Sequence, residues 1–207
     1  MKSFNKAYNV QDDYHTPPML VEILKPFITY YFCAYHFGSK LHKKDPKSIY
    51  RPLTIFCPFD TCDSEYVRIF RQYGYNVIYG SIETGQDFFE LPIPEHADLV
   101  ISNPPFSRKL DVFKKLVEAD KPFAMLMNLM AINYQEIGEF FSSLPKGDIQ
   151  FIIPDKKVSF NGKTSSFCSG YVCYKFIDHT EFVHLPHNNT GKNFEPAFRY
   201  KKEKKEV

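Results

Sequence analysis

Apolar residues along this chain keep two periods by turns, one helical and one alternating or continuous. Behind Pro17-Pro18, the positions Leu20, Ile23, Leu24, Phe27 and Tyr31 fall at helical spacing and predict a helix from Met19 to about Phe37. Residues 38–52 (GSKLHKKDPKSIYRP) are polar, basic and Pro-bearing, which predicts a surface loop. Leu53–Cys57 is a short apolar run suited to a buried strand. Over 62–73, Tyr66, Val67, Phe70 and Tyr73 share one helical face, and Gly74 supplies the stop. Asn76–Tyr79 predicts the next strand. Gly85-Gln86-Asp87-Phe88-Phe89 and a Pro-rich loop then lead to a strand at Asp98–Ser102. Ser107 is placed to cap a helix carrying Leu110, Phe113, Leu116 and Val117 on one face. A strand at Pro122–Asn128, a helix at Tyr134–Ser143 and a strand at Ile149–Ile153 follow. Val158–Phe160 and Gly170–Phe176 predict strands around a Gly/Ser-rich turn.

Strands alternating with helices predict an α/β fold of the doubly wound, mostly parallel, Rossmann-like kind, with helices on both faces of the sheet. One domain over residues 1–200 accounts for the pattern, and the charged residues 201–207 form a C-terminal tail. Ligands of such sheets bind beyond the carboxyl ends of the strands. Pro58, Ser81 and Asn103 each follow a predicted strand directly, so three candidate segments converge on one rim.

Composition narrows this a little. Lys plus Arg total 26 against 24 Asp plus Glu, so a net charge of +2 argues neither for nor against a nucleic-acid partner. The 21 Phe and 14 Tyr suffice for a core and for stacking surfaces as well. No stretch is apolar enough for a membrane span, and Met1–Phe4 leads into polar residues, so a cytoplasmic protein is expected. The cysteines are Cys33, Cys57, Cys62, Cys168 and Cys173, with His184 and His187 downstream. Structural zinc sites use tighter paired spacings, and Cys57 and Cys173 lie inside apolar runs, so no metal is expected.

The chemistry concentrates at Asn103-Pro104-Pro105-Phe106, at the exit of the apolar run Ala97–Ser102. The two prolines fix φ and carry no N–H, so the backbone here offers carbonyl acceptors without competing donors. Asn103 adds a side-chain carbonyl and Phe106 a flat face. That set suits a planar amino group such as the exocyclic amine of adenine, whose lone pair is delocalised into the ring. Two acceptors, one for each N–H, favour a pyramidal nitrogen and release that lone pair for attack. A rigid loop after a strand is the plain structural alternative.

These motifs resemble those of the small S-adenosylmethionine-dependent adenine-N6 methyltransferases common in phages and prophages. The likeness covers roughly residues 12 to 176 in the family's order. Asn103-Pro104-Pro105-Phe106 matches the family's catalytic signature of Asn, Asp or Ser, then Pro-Pro and an aromatic. Tyr14-His15-Thr16-Pro17-Pro18 resembles its N-terminal Tyr-x-Thr-Pro segment, which implies that Tyr14, Thr16 and Pro17 hold the methionine end of the cofactor. Cys57-Pro58-Phe59-Asp60 stands where the family has its cofactor loop, and Gly85–Phe89 matches a segment whose acidic residue, here Asp87, is expected to bind the cofactor's adenine, with Phe88 beside it. The resemblance therefore implies a class I methyltransferase fold, S-adenosylmethionine as cofactor, and adenine in DNA, or in RNA, as substrate. The target base would leave the helix stack to reach the site.

Two departures stand out. The loop Pro58–Ser64 holds no glycine, whereas the family's cofactor loop usually does so that backbone can approach the ligand closely. Ser81-Ile82, with Glu83 nearby, occupies the place of the acidic residue that normally holds the ribose hydroxyls. Asp60, Ser64, Ser81 and Asp87 are the polar groups then expected to hold the cofactor. Each also has a structural alternative: a helix-entry turn for Tyr14 and Thr16, a loop cap for Asp87, and a helix N-cap for Asp60. Arg108 and Lys109, then Lys40, Lys43, Lys44, Lys156, Lys157 and Lys163, are candidate phosphate contacts. A glutamine amide presents the same planar NH2 as adenine, and a cofactor-less binding module would fit the glycine-free loop, so both remain open beside DNA methylation. The sequence leaves the oligomeric state open.

Overall fold

The computed structural model describes residues 15–34, 51–160 and 168–185. The expected segment Tyr14, the helix beyond 34, most of the 38–52 loop with Lys40, Lys43 and Lys44, Lys163 in the Gly/Ser turn, His187 and the 201–207 tail lie outside the described residues.

The described residues form seven strands, β1 (Thr54–Cys57), β2 (Asn76–Tyr79), β3 (Leu99–Ser102), β4 (Phe123–Asn128), β5 (Ile149–Pro154), β6 (Ser169–Tyr174) and β7 (Glu181–Val183). They form one sheet in the order β2-β1-β3-β4-β6-β5-β7. β1, β2, β3 and β4 pair in parallel, as do β5 and β7, while β6 runs antiparallel to both β4 and β5. The mostly parallel sheet expected from the alternation is therefore present, with one reversed strand threaded into it. The helices are α1 (Pro18–Glu22), α2 (Lys25–Cys33), α3 (Glu65–Gln72), α4 (Lys109–Glu118) and α5 (Gln135–Ser143).

Both faces of the sheet are covered, and the strand residues divide between them with period two. Ile55, Cys57, Leu99, Ile101, Tyr171 and Cys173 pack with α1, α2 and α3 in one cluster. Their neighbours Phe56, Val100, Phe123, Met125, Val172 and Tyr174 pack with α4 and α5 in the other. All four residues of β3 are buried, as suits a central strand. The amino end of that strand is held by Asp98. Its carboxylate takes two bonds from Arg51, at 2.7 and 2.5 Å, and one from the Thr54 backbone N–H at 2.8 Å. This ties the starts of β1 and β3 together at the end of the sheet away from the rim.

Local sequence explains most boundaries. Ser64, in extended backbone, caps α3 by accepting from the Val67 N–H at 3.3 Å. Gly74, at φ +82°, ends the helix: its N–H reaches the Arg71 carbonyl at 3.0 Å and the Tyr75 N–H reaches Phe70 at 3.1 Å. Three expectations need correction. The single helix from Met19 is two, because Pro26 lacks an N–H and its ring would clash with the carbonyl one turn back, so the chain turns at Ile23–Leu24 and restarts. Ser107 is exposed and does not cap α4; a 3-10 turn over Phe106–Arg108 precedes the helix, with no side-chain cap. Val158–Phe160 is not a strand, only one bridge at Phe160, and the short β7 has no apolar pattern that would announce it.

A polar thread crosses the first core cluster. Tyr171, fully buried on β6, donates to the Leu20 carbonyl of α1 at 2.8 Å. Its oxygen lies 2.9 Å from that of Tyr66 on α3, and since the Tyr171 proton is committed to Leu20, Tyr66 is the donor in the pair. Burial pushes both phenols well above their ordinary range, so both remain neutral. Tyr171→Phe removes the donor to Leu20 and the acceptor of Tyr66 together, and is expected to cost about 1–3 kcal/mol. It should lower the urea midpoint with an unchanged slope. The same phenols bind protons in the folded state at pH values where the unfolded chain releases them. Stability should thus be full below about pH 10 and fall as pH rises above it. A urea midpoint that falls less between neutral and alkaline pH in Tyr171→Phe than in the wild type would verify the source.

Candidate active site

The strand order reverses direction at β1: β2 lies on one side of it and β3 on the other, so the carboxyl ends of β1 and β3 flank a switch point. Asp60 stitches this point together. Its N–H donates to the Gly80 carbonyl beyond β2 at 3.0 Å, and the Gly80 N–H returns to the Cys57 carbonyl at 3.2 Å. Its carboxylate accepts from the Ser102 hydroxyl, the last residue of β3, at 2.5 Å. Both side chains are buried. Asp60 is therefore not the cap of α3, a role that Ser64 fills; it ties the exits of three strands.

Thr16 is buried beside this stitch, and its hydroxyl bonds to Tyr66, so it heads the thread of Tyr66, Tyr171 and Leu20. Pro17, at φ −60° and ψ 138°, is the N-cap position of α1, with the Leu20 N–H on its carbonyl at 3.0 Å. The N-terminal segment is thus both a helix entrance and a neighbour of the rim.

Beyond β2, Ser81 opens a 3-10 turn over Ile82–Thr84 that closes at Gly85, φ +76°. Thr84 Oγ1 accepts from the Ser81 N–H at 3.1 Å and donates to the Ser81 carbonyl at 2.9 Å. The Ser81 hydroxyl itself is buried and has no hydrogen-bond partner. A buried hydroxyl left unpaired is costly, which makes it a ready group for a polar ligand. Glu83 is exposed. The end of the exposed Gln86 side chain lies where a Cβ on Gly80 would stand.

Asp87 folds the next turn on itself: Oδ1 accepts from the Phe89 N–H at 2.8 Å, and its carbonyl takes the Glu90 and Leu91 N–H groups. Phe88 is buried against Phe59 of the β1 loop, ring centroids 4.9 Å apart, and Phe89 follows edge-on at 5.3 Å. Lys115 of α4 donates to the Phe88 and Leu91 carbonyls at 2.5 and 2.6 Å. Burial holds its ammonium below the usual lysine range, with the Asp87 charge opposing the shift.

At the exit of β3, Pro104 is buried while Asn103, Pro105 and Phe106 are half-buried at the rim. The buried Lys109 places its ammonium 4.4 Å over the Phe106 ring. Arg108 lays its guanidinium 3.3 Å over Phe89 and pairs with Asp111 at 3.1 Å. Both residues, expected as phosphate contacts, are thus engaged with rings inside the site. Lys156 and Lys157 follow β5 on the same rim. The structure brings together Thr16, Pro58, Asp60, Ser81, Asp87 and Asn103–Phe106 at the carboxyl ends of β1, β2 and β3 or beside them; Ser64 is the helix cap nearby. Ser102, Gly80 and Lys115 were missed, and Lys109 was expected only as a phosphate contact. A serine closing an otherwise apolar strand was the one available signal. Among the described residues no three His, Cys, Asp or Glu side chains gather as a metal site requires, and no described helix is long and apolar enough to cross a membrane.

The fold defines a Rossmann-like α/β protein, with the candidate residues gathered at its switch point. The chain belongs to the family described as adenine-specific methyltransferase EcoRI, whose model matches residues 86–204 and so takes in the Asp87 turn and the Asn103 tetrapeptide. Membership makes it a methyltransferase that uses S-adenosylmethionine. Among solved structures, it is similar to a Listeria monocytogenes protein described as a class I S-adenosylmethionine-dependent methyltransferase: 11% identity, 91% of this chain and 69% of that chain covered, TM-score 0.43. No curated protein matches the chain.

The unpaired Ser81 hydroxyl gives a direct test of the cofactor rim. Ser81→Ala removes no bond from the free protein, so its urea midpoint should stay within about 0.5 kcal/mol of wild type. Affinity for S-adenosylhomocysteine, measured by calorimetry, should fall roughly fivefold, the worth of one hydrogen bond of about 1 kcal/mol.

Proposed function

We propose that the protein transfers a methyl group from S-adenosylmethionine to the N6 amino group of adenine in DNA. The observation that carries this reading is the placement of Asn103-Pro104-Pro105-Phe106 on the rim directly after Ser102, whose hydroxyl is bonded to the buried Asp60 at the switch point. Acceptors for an amino group and polar groups for a nucleoside-like ligand thus share one edge of the sheet. Family membership supports adenine as the base.

The residues present fit the cofactor. Ser81 has an unpaired buried hydroxyl, Asp87 sits one turn further on, and Thr16 is buried and bonded to Tyr66. The glycine-free loop Pro58–Ser64 is held beside the end of β2 by the bond from the Asp60 N–H to the Gly80 carbonyl. Thr16, Pro17, Pro58, Asp60, Ser81, Asp87 and Phe88 would hold the cofactor, with Ser64 fixing the helix beside them and Tyr14 extending the N-terminal segment. When bound, S-adenosylmethionine supplies a methyl group on a sulfonium, whose positive charge makes the sulfur a good leaving group. Asn103 and the Pro104 carbonyl accept the two N–H bonds of the target amine and turn its lone pair outward. Phe106, held from one side by the Lys109 ammonium, supports the base. Positioning and electrostatics carry the step, and no strong base is required because the nitrogen releases its proton after methyl transfer. DNA presents N6 only once the adenine has left the stack.

Asn103→Ala is expected to lower methyl transfer at least 100-fold, as loss of a preorganised partner in a transition state does. Binding of S-adenosylhomocysteine should remain within about threefold of wild type, since Asn103 faces the acceptor side. Asn103→Asp keeps an acceptor and should retain measurable activity. The assay is transfer of labelled methyl to unmethylated DNA, with N6-methyladenine identified after digestion. Label recovered in RNA or in protein glutamine instead of DNA adenine would overturn the proposed substrate.

A further inference from the structure

The 85–91 turn and the Asn103 tetrapeptide are twelve or more residues apart in sequence, yet one helix grips both. Arg108 immediately follows the tetrapeptide's turn, and its guanidinium lies 3.3 Å over Phe89 while Asp111 fixes it at 3.1 Å from the other side. Two helical turns further on, Lys115 bonds the Phe88 and Leu91 carbonyls at 2.5 and 2.6 Å and stands 4.8 Å over the Phe88 ring. Phe88 in turn packs on Phe59 of the β1 loop at 4.9 Å. An unbroken string of contacts therefore runs from the loop after β1, through Phe88 and Phe89, to a residue two positions beyond Phe106. Asp87, at the root of the turn, holds the Phe89 N–H, so a shift of Asp87 moves the ring on which Arg108 lies.

We propose that the Arg108–Phe89 stack, with Lys115 anchoring the turn beneath it, couples the methyl-donor side of the site to the amine-acceptor side. This rests on the function proposed above. Arg108 is a positioning residue here: it acts through Phe89 and the tetrapeptide, and neither reacting group touches it. A ligand that settles the Asp87 turn settles Phe89, which fixes Arg108 and with it the 3-10 turn that begins at Phe106. Coupling of this kind is reciprocal, so DNA must tighten the donor site by the factor by which the donor tightens DNA. A planar guanidinium stacked on a ring is not interchangeable with an ammonium, so the effect should depend on residue type.

The test is the affinity of S-adenosylhomocysteine measured by calorimetry with and without saturating unmethylated plasmid DNA. In the wild type DNA should tighten binding roughly fivefold or more. In Arg108→Leu and in Phe89→Leu the ratio should drop to near one, and the double variant should drop it no further, because the two residues form one contact. Arg108→Lys should recover only part of the ratio. Melting temperatures of each variant report folding separately: a role confined to stability would lower them and leave the ratio intact. A wild-type ratio of one, or a ratio unchanged in either single variant, overturns the proposal. So does a DNA affinity that Arg108→Leu weakens equally with and without S-adenosylhomocysteine, which would mark Arg108 as a phosphate contact. Failure of the underlying function reads differently: the wild type then binds no S-adenosylhomocysteine and transfers no methyl, and the inference falls with it.

Discussion

Everything at the rim depends on the way Asp60 closes the switch point. Two strands diverge from β1 here, and their exits leave backbone groups and a gap that apolar packing cannot fill. One aspartate spans it, using its N–H on Gly80 and its carboxylate on Ser102. A buried carboxylate is tolerated only when bonded, and the Ser102 hydroxyl provides such a bond inside a strand that is otherwise apolar. The arrangement sets the spacing between the loop after β1 and the tetrapeptide after β3, which is the spacing any shared ligand must meet.

The site is assembled from parts that are remote in sequence. Thr16 reaches it from the chain's beginning and is held by Tyr66 of α3, which is held by Tyr171 of β6, which is anchored on Leu20 of α1. Polar groups sit inside an apolar cluster only because each phenol satisfies the next, so the network fixes a unique arrangement of α1, α3 and β6. On the opposite face the organising contacts are cations on rings. Lys109 lies over Phe106, Arg108 over Phe89 and Lys115 over Phe88, which ties α4 and the 3-10 turn before it to the tetrapeptide and to the 85–91 turn. Arg108 and Lys109, expected as phosphate contacts, also lie on aromatic rings beside the tetrapeptide.

Much of the architecture was legible because it follows from local rules. The β2 boundaries Asn76–Tyr79, the stop at Gly74 and the helix carrying Phe113 and Leu116 come from turn chemistry and periodicity, which neighbours along the chain decide. The misjudged places are those where a local rule was outweighed or overlooked. Pro26 breaks what periodicity reads as one helix, Ser107 stays exposed while a 3-10 turn opens α4, and Phe160 makes only a single bridge.

By itself the sequence determined the class of fold and picked out the rim and the tetrapeptide proposed to grip the amine, because periodicity, proline geometry and side-chain chemistry are properties of short segments. Tertiary structure alone decided that Asp60 bonds Ser102 rather than capping a helix, that Ser81 keeps an unpaired hydroxyl, and that Arg108 and Lys109 turn inward onto aromatic rings. Those outcomes depend on which distant groups meet when the sheet closes. Pairing across it, between residues tens of positions apart, is set by the shape of the folded chain and by the need of each buried polar group for a partner.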